Sequence, residues 1–199
     1  MKWNFERTRT ALMVIDMQND FVRAGAIMEV PDAKRQLPDI AQLIETCRAL
    51  DVPVIYTVHE THPDHCPMEI AAFPHLKEAG MRRGTLGVEV ADELAPAPGE
   101  TVIRKHRFSA FYQTELELLL RNLRAPAIDT LIICGTVTNI CCEATARDAF
   151  YRDYKVVFGS DICSAVCPDA HKATLANMEL FSRVMDCAEI IRALELGKG

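Results

Sequence analysis

Three residues that could do chemistry together each follow a short apolar run. Asp16 follows residues 11–15 (ALMVI), Lys105 comes just after residues 101–103, and Cys141 stands shortly beyond residues 127–135 (AIDTLIICG). An acid, an amine and a thiol make a complete set for attack on an amide or related carbonyl, with the cysteine as nucleophile. A free thiol has a pKa of about 8.5, so it needs a proton acceptor and a nearby positive charge. Asp16 would supply the first and Lys105 the second. Cys141 also falls at the start of a predicted helix, where unpaired backbone N–H groups favour a thiolate and can bind an oxyanion. Cys142 carries the same chemistry, but adjacent helical side chains diverge by about 100°, so it is expected to pack elsewhere. Each residue alone has a simpler reading: small buried hydrophobe, turn or cap acid, solvated amine. Their coincidence beyond strands is what counts.

The elements that must position them are legible from periodicity. Residues 11–15, 52–58, 101–103, 127–135, 154–158 and 183–185 read as strands, several of them apolar runs expected of strands buried on both faces. Residues 38–50, 114–123, 142–152, 168–179 and 188–194 read as helices. Strands alternating with helices predict an α/β fold: a doubly wound, Rossmann-like, parallel six-stranded sheet with helices on both faces, a three-layer sandwich spanning residues 1–199 as one domain. In such sheets ligands bind beyond the carboxyl ends of the strands, where Asp16, His59, Lys105 and residues 135–141 would lie. Residues 61–87 form a poorly periodic insertion rich in Pro, Gly and His, the kind of loop that makes a lid or a subunit contact.

Composition narrows the function. The chain has 199 residues, 49% hydrophobic and 25% charged, enough to bury roughly 70% of its unfolded surface without staples. Its 28 acids against 22 bases give a net charge of -6 with no basic cluster, which argues against nucleic acid as a partner. No apolar stretch approaches the roughly 20 residues of a membrane span, and residues 1–10 do not lead into a signal-peptide core. A cytoplasmic setting is expected, where the eight cysteines would be reduced and a disulfide framework is not expected. Cys47 and Cys134 fall at apolar periodic positions and read as core.

Residues 11–21 (ALMVIDMQNDF), 105–114 (KHRFSAFYQT) and 135–149 (GTVTNICCEATARDA), followed by 154–165 (YKVVFGSDICSA), resemble in order and spacing the signature segments of the isochorismatase-like cysteine hydrolases. The likeness runs over about residues 9–190. It implies an Asp16-Lys105-Cys141 triad and a cis peptide between Thr136 and Val137, directing the N–H groups of Val137 and Cys141 toward an oxyanion. The family's substrates are small molecules: nicotinamide, carbamoyl and ureido compounds, biuret and isochorismate. The cysteine argues against the last, whose cleavage needs no thiol. Nicotinamidases carry an Asp two residues before a metal-binding His; here Thr57 precedes His59 in a His-rich loop, residues 59–66 (HETHPDHC). Neither metal nor other cofactor is therefore expected; a metal-containing nicotinamidase is the alternative reading, and a catalytically inactive binding protein a further one, against which the intact triad argues. Gln18, Phe21, His59, Phe111 and Tyr112 are candidate pocket residues. Arg82, Arg83 and Thr85 are candidates for a substrate carboxylate, although solvated loop is the simpler reading. The resemblance also implies a homodimer or homotetramer, with Met81, Leu86 and Val88 as candidate contacts.

Overall fold

The computed structural model describes every residue except 1, 2, 4, 5, 63, 198 and 199; the first four, on which the export reading partly rests, lie outside this description. Six strands, β1 Thr10–Ile15, β2 Val54–His59, β3 Thr101–Lys105, β4 Thr130–Thr136, β5 Lys155–Ser164 and β6 Arg183–Met185, form one sheet in the order β3-β2-β1-β4-β5-β6. Every pairing is parallel. Strand order reverses between β1 and β4, so the crevice expected of a doubly wound sheet opens at their carboxyl ends. Asp16 and the segment leading to Cys141 start there.

Every residue of β1, β2 and β4 is buried, the mark of strands covered on both faces. Side chains alternate across β1. Leu12 and Val14 join Ile40, Leu43, Ile44 and Cys47 of α2 (Ala33–Ala49) and Ile190 and Leu194 of α7 (Cys187–Leu196). Ala11, Met13 and Ile15 join Leu116 and Leu120 of α4 (Leu116–Asn122), Ala146 and Ala149 of α5 (Glu143–Phe150) and Met178 of α6 (Pro168–Met178). Each buried Leu or Ile contributes roughly 1.5–3 kcal/mol, and this two-sided burial holds the strand ends in register. Two short helices were not anticipated, α1 (Asn19–Val22) and α3 (Pro67–Ala72) within the insertion. Helix α2 starts five residues ahead of the Pro38 expected to open it, because Ala33 and Leu37 are also buried. The predicted helix from Cys142 becomes a π-helical turn, Thr138–Cys142, running into α5. All eight cysteines are free, only Cys167 being exposed. No helix of the described residues is long and apolar enough to cross a membrane.

Candidate active site

Asp16, Lys105 and Cys141 meet at the carboxyl edge of the sheet. Lys105 Nζ lies 2.7 Å from Asp16 Oδ2 and 3.4 Å from Cys141 Sγ, and both charged side chains are fully buried. The last residue of β3 is paired in register with the last residue of β2, His59, and the lysine approaches His59 Nδ1 at 3.3 Å. Asp16 adopts a left-handed backbone, φ 48, a conformation Asp tolerates better than most residues. It is held there from three sides. Thr136 Oγ1 donates to its carbonyl at 2.8 Å, Thr57 Oγ1 donates to its Oδ1 at 2.5 Å, and its own N–H reaches the Thr57 carbonyl at 3.2 Å. The Thr136–Val137 peptide is cis, at the position the resemblance implies. Gly135, at φ 118, passes so close to β1 that a Cβ would stand 2.0 Å from the Ile15 carbonyl oxygen.

The electrostatics correct one expectation. Burial pushes the Cys141 thiol well up; Lys105 pulls the other way, while the charge of Asp16 and a hydrogen bond to it add to the rise. The resting group is therefore a thiol facing a carboxylate, and proximity to Lys105 and a helix start does not by itself make a thiolate. For Lys105, burial works downward, but the charge of Asp16, followed by the contact with the Cys141 sulfur, outweighs it and leaves the ammonium above its ordinary range. Cys142 is turned away from the cavity. Burial and then a hydrogen bond with Cys163 push its thiol up as well.

Cys141, Val137 and Ile140 line a narrow cavity together with Phe21, Phe108, Phe73 and Leu76, and His59 and Glu69 stand in its wall. Its volume of ≈ 30 Å³ is room for about one water. Phe21 and His59, two of the candidate pocket residues, thus line it beside Val137. Gln18 does not: it is fully buried, its amide donating to the His59 and Val88 carbonyls at 3.0 and 2.9 Å and accepting from the His59 N–H at 2.7 Å. Phe111 packs on Tyr154 and under the Arg152 guanidinium, and Tyr112 lines a separate, wider cavity. Arg82 and Arg83 line that wider cavity too; Arg82 ties down the Thr61, Leu76 and Lys77 carbonyls, Arg83 pairs with Glu60 at 3.0 Å, and Thr85 donates to the Arg82 carbonyl. Met81 and Val88 are buried within the chain, which leaves Leu86 as the exposed member of the proposed contact.

The sequence reading missed Glu69, and it named Thr57 and Thr136 without their part in holding Asp16. Thr57 and Thr136 have a signal, since each lies on a strand beside a triad residue. Glu69 has none, being in the aperiodic insertion. His59 Nε2 meets Glu69 Oε1 at 2.5 Å, while Glu69 Oε2 is buried without a partner.

A metal on the His-rich loop does not fit. His62 and His65 stack on one another at 3.9 Å and face the wider cavity, whereas His59 turns inward to Lys105 and Glu69. Asp16, His59 and Cys141 do offer ligand atoms within 4.8 Å of one another. The Lys105 ammonium stands among them, at 2.7, 3.3 and 3.4 Å, and already supplies the positive charge.

A six-stranded parallel sheet with helices on both faces, and a buried acid, amine and thiol at its carboxyl edge, defines the class, a doubly wound, Rossmann-like α/β architecture. Residues 10–189 match the Isochorismatase domain family. The chain belongs to that family of isochorismatase-like hydrolases. It is 30% identical to ureidoacrylate amidohydrolase RutB of Azorhizobium caulinodans, over 86% of this chain and 84% of that one. It is 32% identical to nicotinamidase 3 of Arabidopsis thaliana, over 92% and 88%. Among solved structures, a cysteine hydrolase from Pseudomonas syringae pv. phaseolicola 1448A superposes with a TM-score of 0.89 at 33% identity, covering 98% of this chain and 96% of that one.

Proposed function

We propose that the protein hydrolyses a C–N bond of a small-molecule amide, carbamoyl or ureido compound through a thioester on Cys141. The observation that carries this reading is the buried contact of Lys105 with both Asp16 and Cys141 at the cavity. Asp16 takes the thiol proton as Sγ attacks the carbonyl carbon. A C–S bond forms, and the oxygen becomes an oxyanion facing the N–H groups of Val137 and Cys141, each worth roughly 3 kcal/mol in the transition state. The C–N bond breaks and ammonia or an amine leaves with the proton from Asp16. Water then loses a proton to Asp16 and attacks the thioester, and the departing sulfur takes that proton back. Lys105 keeps its charge throughout, steadying whichever neighbour is negative.

The unpartnered Glu69 Oε2 in the cavity wall favours a substrate that brings N–H donors beside its carbonyl, because a buried carboxylate oxygen left without a partner is costly. Carbamoyl and ureido groups do this on both sides of the carbonyl. A nicotinamidase without a loop metal is the second reading, favoured by the plant relative. Ammonia release from nicotinamide, carbamoyl amino acids, ureidoacrylate, biuret and simple amides separates the two. Turnover of one of them that disappears in Cys141→Ala is the expected result; turnover that survives this substitution overturns the mechanism. Reduced thiols in a cytoplasmic setting and assembly as a homodimer or homotetramer belong to the same proposal, the assembly being checked by sedimentation.

A further inference from the structure

Lys105 Nζ has more acceptors than protons. Asp16 Oδ2 lies at 2.7 Å, the Arg107 carbonyl at 3.2 Å, His59 Nδ1 at 3.3 Å and Cys141 Sγ at 3.4 Å. An ammonium has three protons to give and accepts none. Its contact with His59 is therefore a hydrogen bond only when Nδ1 carries no proton. The ring proton must then sit on Nε2, and Nε2 is the atom that meets Glu69 Oε1 at 2.5 Å. The opposite tautomer would turn an N–H toward the ammonium.

We propose that Glu69 and His59 are positioning residues that hold the catalytic lysine: Glu69 fixes the His59 tautomer, and His59 then accepts from Lys105. The inference rests on the hydrolase reading for its bearing on turnover. Its physical content is independent of substrate. When the Cys141 proton moves to Asp16, the strongest acceptor of Lys105 becomes neutral and the sulfur becomes negative. Two anchors that do not change charge, His59 Nδ1 and the Arg107 carbonyl, keep Nζ in place while negative charge passes from carboxylate to sulfur. Gln18 supports the same end of β2, gripping the His59 backbone at both its N–H and its carbonyl. The charged and titratable groups around the pair are Asp16 from the end of β1, Lys105 from β3, Glu69 from α3 and Cys141 from the π-helical turn; the Phe108 ring lies 6.3 Å from the imidazole.

The test uses the full chain and iodoacetamide, with labelling of Cys141 followed by mass spectrometry across pH and Cys141→Ala as the blank. His59→Ala and Glu69→Gln should slow labelling by roughly ten- to a hundredfold, the size of effect known for partners that orient metal-binding histidines, and should shift its pH profile toward alkali. His59→Asn puts an amide oxygen where Nδ1 stood and needs no tautomer. It should recover much of the rate, and Glu69→Gln added to it should cost little more, a non-additivity that a merely structural role would not give. A Glu69→Gln protein that labels at the parent rate with the parent pH profile overturns the relay, and so does an equal Glu69→Gln effect in the His59→Asn background. A native Cys141 that does not label refutes the poised thiol on which the relay acts. Failure of the hydrolase reading looks different: no substrate in the panel is turned over, while labelling still depends on Glu69 and His59.

Discussion

Raising the pH from 8 to 10.5 should strip the protein of most of its stability, because five thiols are buried where burial outweighs any nearby positive charge. Burial pushes Cys134, Cys141 and Cys142 well above the ordinary thiol range and Cys47 and Cys187 up to about 12. In the unfolded chain the same groups titrate near about 8.5. Since each folded value is raised, the stability is fully present below about 8.5 and is lost as the pH climbs toward the folded values. Each thiol then withdraws about 1.4 kcal/mol at pH 9.5 and about 2.7 kcal/mol at pH 10.5. Five together withdraw about 7 and about 14 kcal/mol, against the 5–15 kcal/mol that typically hold a domain together. Lys105 does not offset this, as its own raised value keeps it charged in both states through most of the window. Reversible urea unfolding followed by circular dichroism, with reductant present, measures the slope at half-unit steps. Replacing Cys134 by Ala should remove about a fifth of it. A free energy of unfolding that is the same at pH 8 and pH 10 would refute the reasoning, since proton number alone dictates the slope.

Gly135→Ala would set a Cβ 2.0 Å from the Ile15 carbonyl oxygen at a backbone of φ 118; expression with loss of the cooperative thermal transition is expected, and a parental Tm would contradict the close approach. Lys105→Met removes the cation paired with a fully buried carboxylate and should cost about 3–5 kcal/mol as well as Cys141 labelling; a variant with the parental urea midpoint would contradict the buried pairing. Cys142→Ala should leave the labelling of Cys141 intact, because its side chain packs toward Cys163 rather than the cavity; a rate lowered more than tenfold in a protein of unchanged Tm would reverse the roles of the two cysteines.

How much was legible in the sequence depended on what each residue's neighbours in the chain reveal. The strands announced themselves because residues buried on both faces leave unbroken apolar runs, and a polar residue ending such a run marks the crevice; Asp16 and Lys105 follow from that alone. Cys141 followed from its place after β4, but the π-helical turn that carries it has no hydrophobic signature. Gln18 and Phe111 misled for one reason. Both lie next to triad segments in sequence, yet one is spent on backbone carbonyls and the other packs against Tyr154 on the face carrying α4 and α5. Glu69 stayed invisible because it reaches the site from an insertion whose position only the folded chain defines. The depression of the Cys141 pKa expected from a nearby lysine failed for a quantitative reason: full burial and the Asp16 charge together outweigh one ammonium.

The turn that carries the nucleophile sets a constraint on chain length. Residues Thr138–Cys142 close an i→i+5 turn, with the Cys142 N–H reaching the Val137 carbonyl at 3.2 Å, one residue more than an α-helical turn holds. Deleting any single residue between Val137 and Glu143 would let the segment relax to α-helical bonding and swing its side chains by about 100° around the helix axis. The thiol would then leave the cavity while α5 kept its packing on the sheet. Substitutions in this stretch are filtered by what each side chain touches. A change in its residue count would disable the site without unfolding the domain.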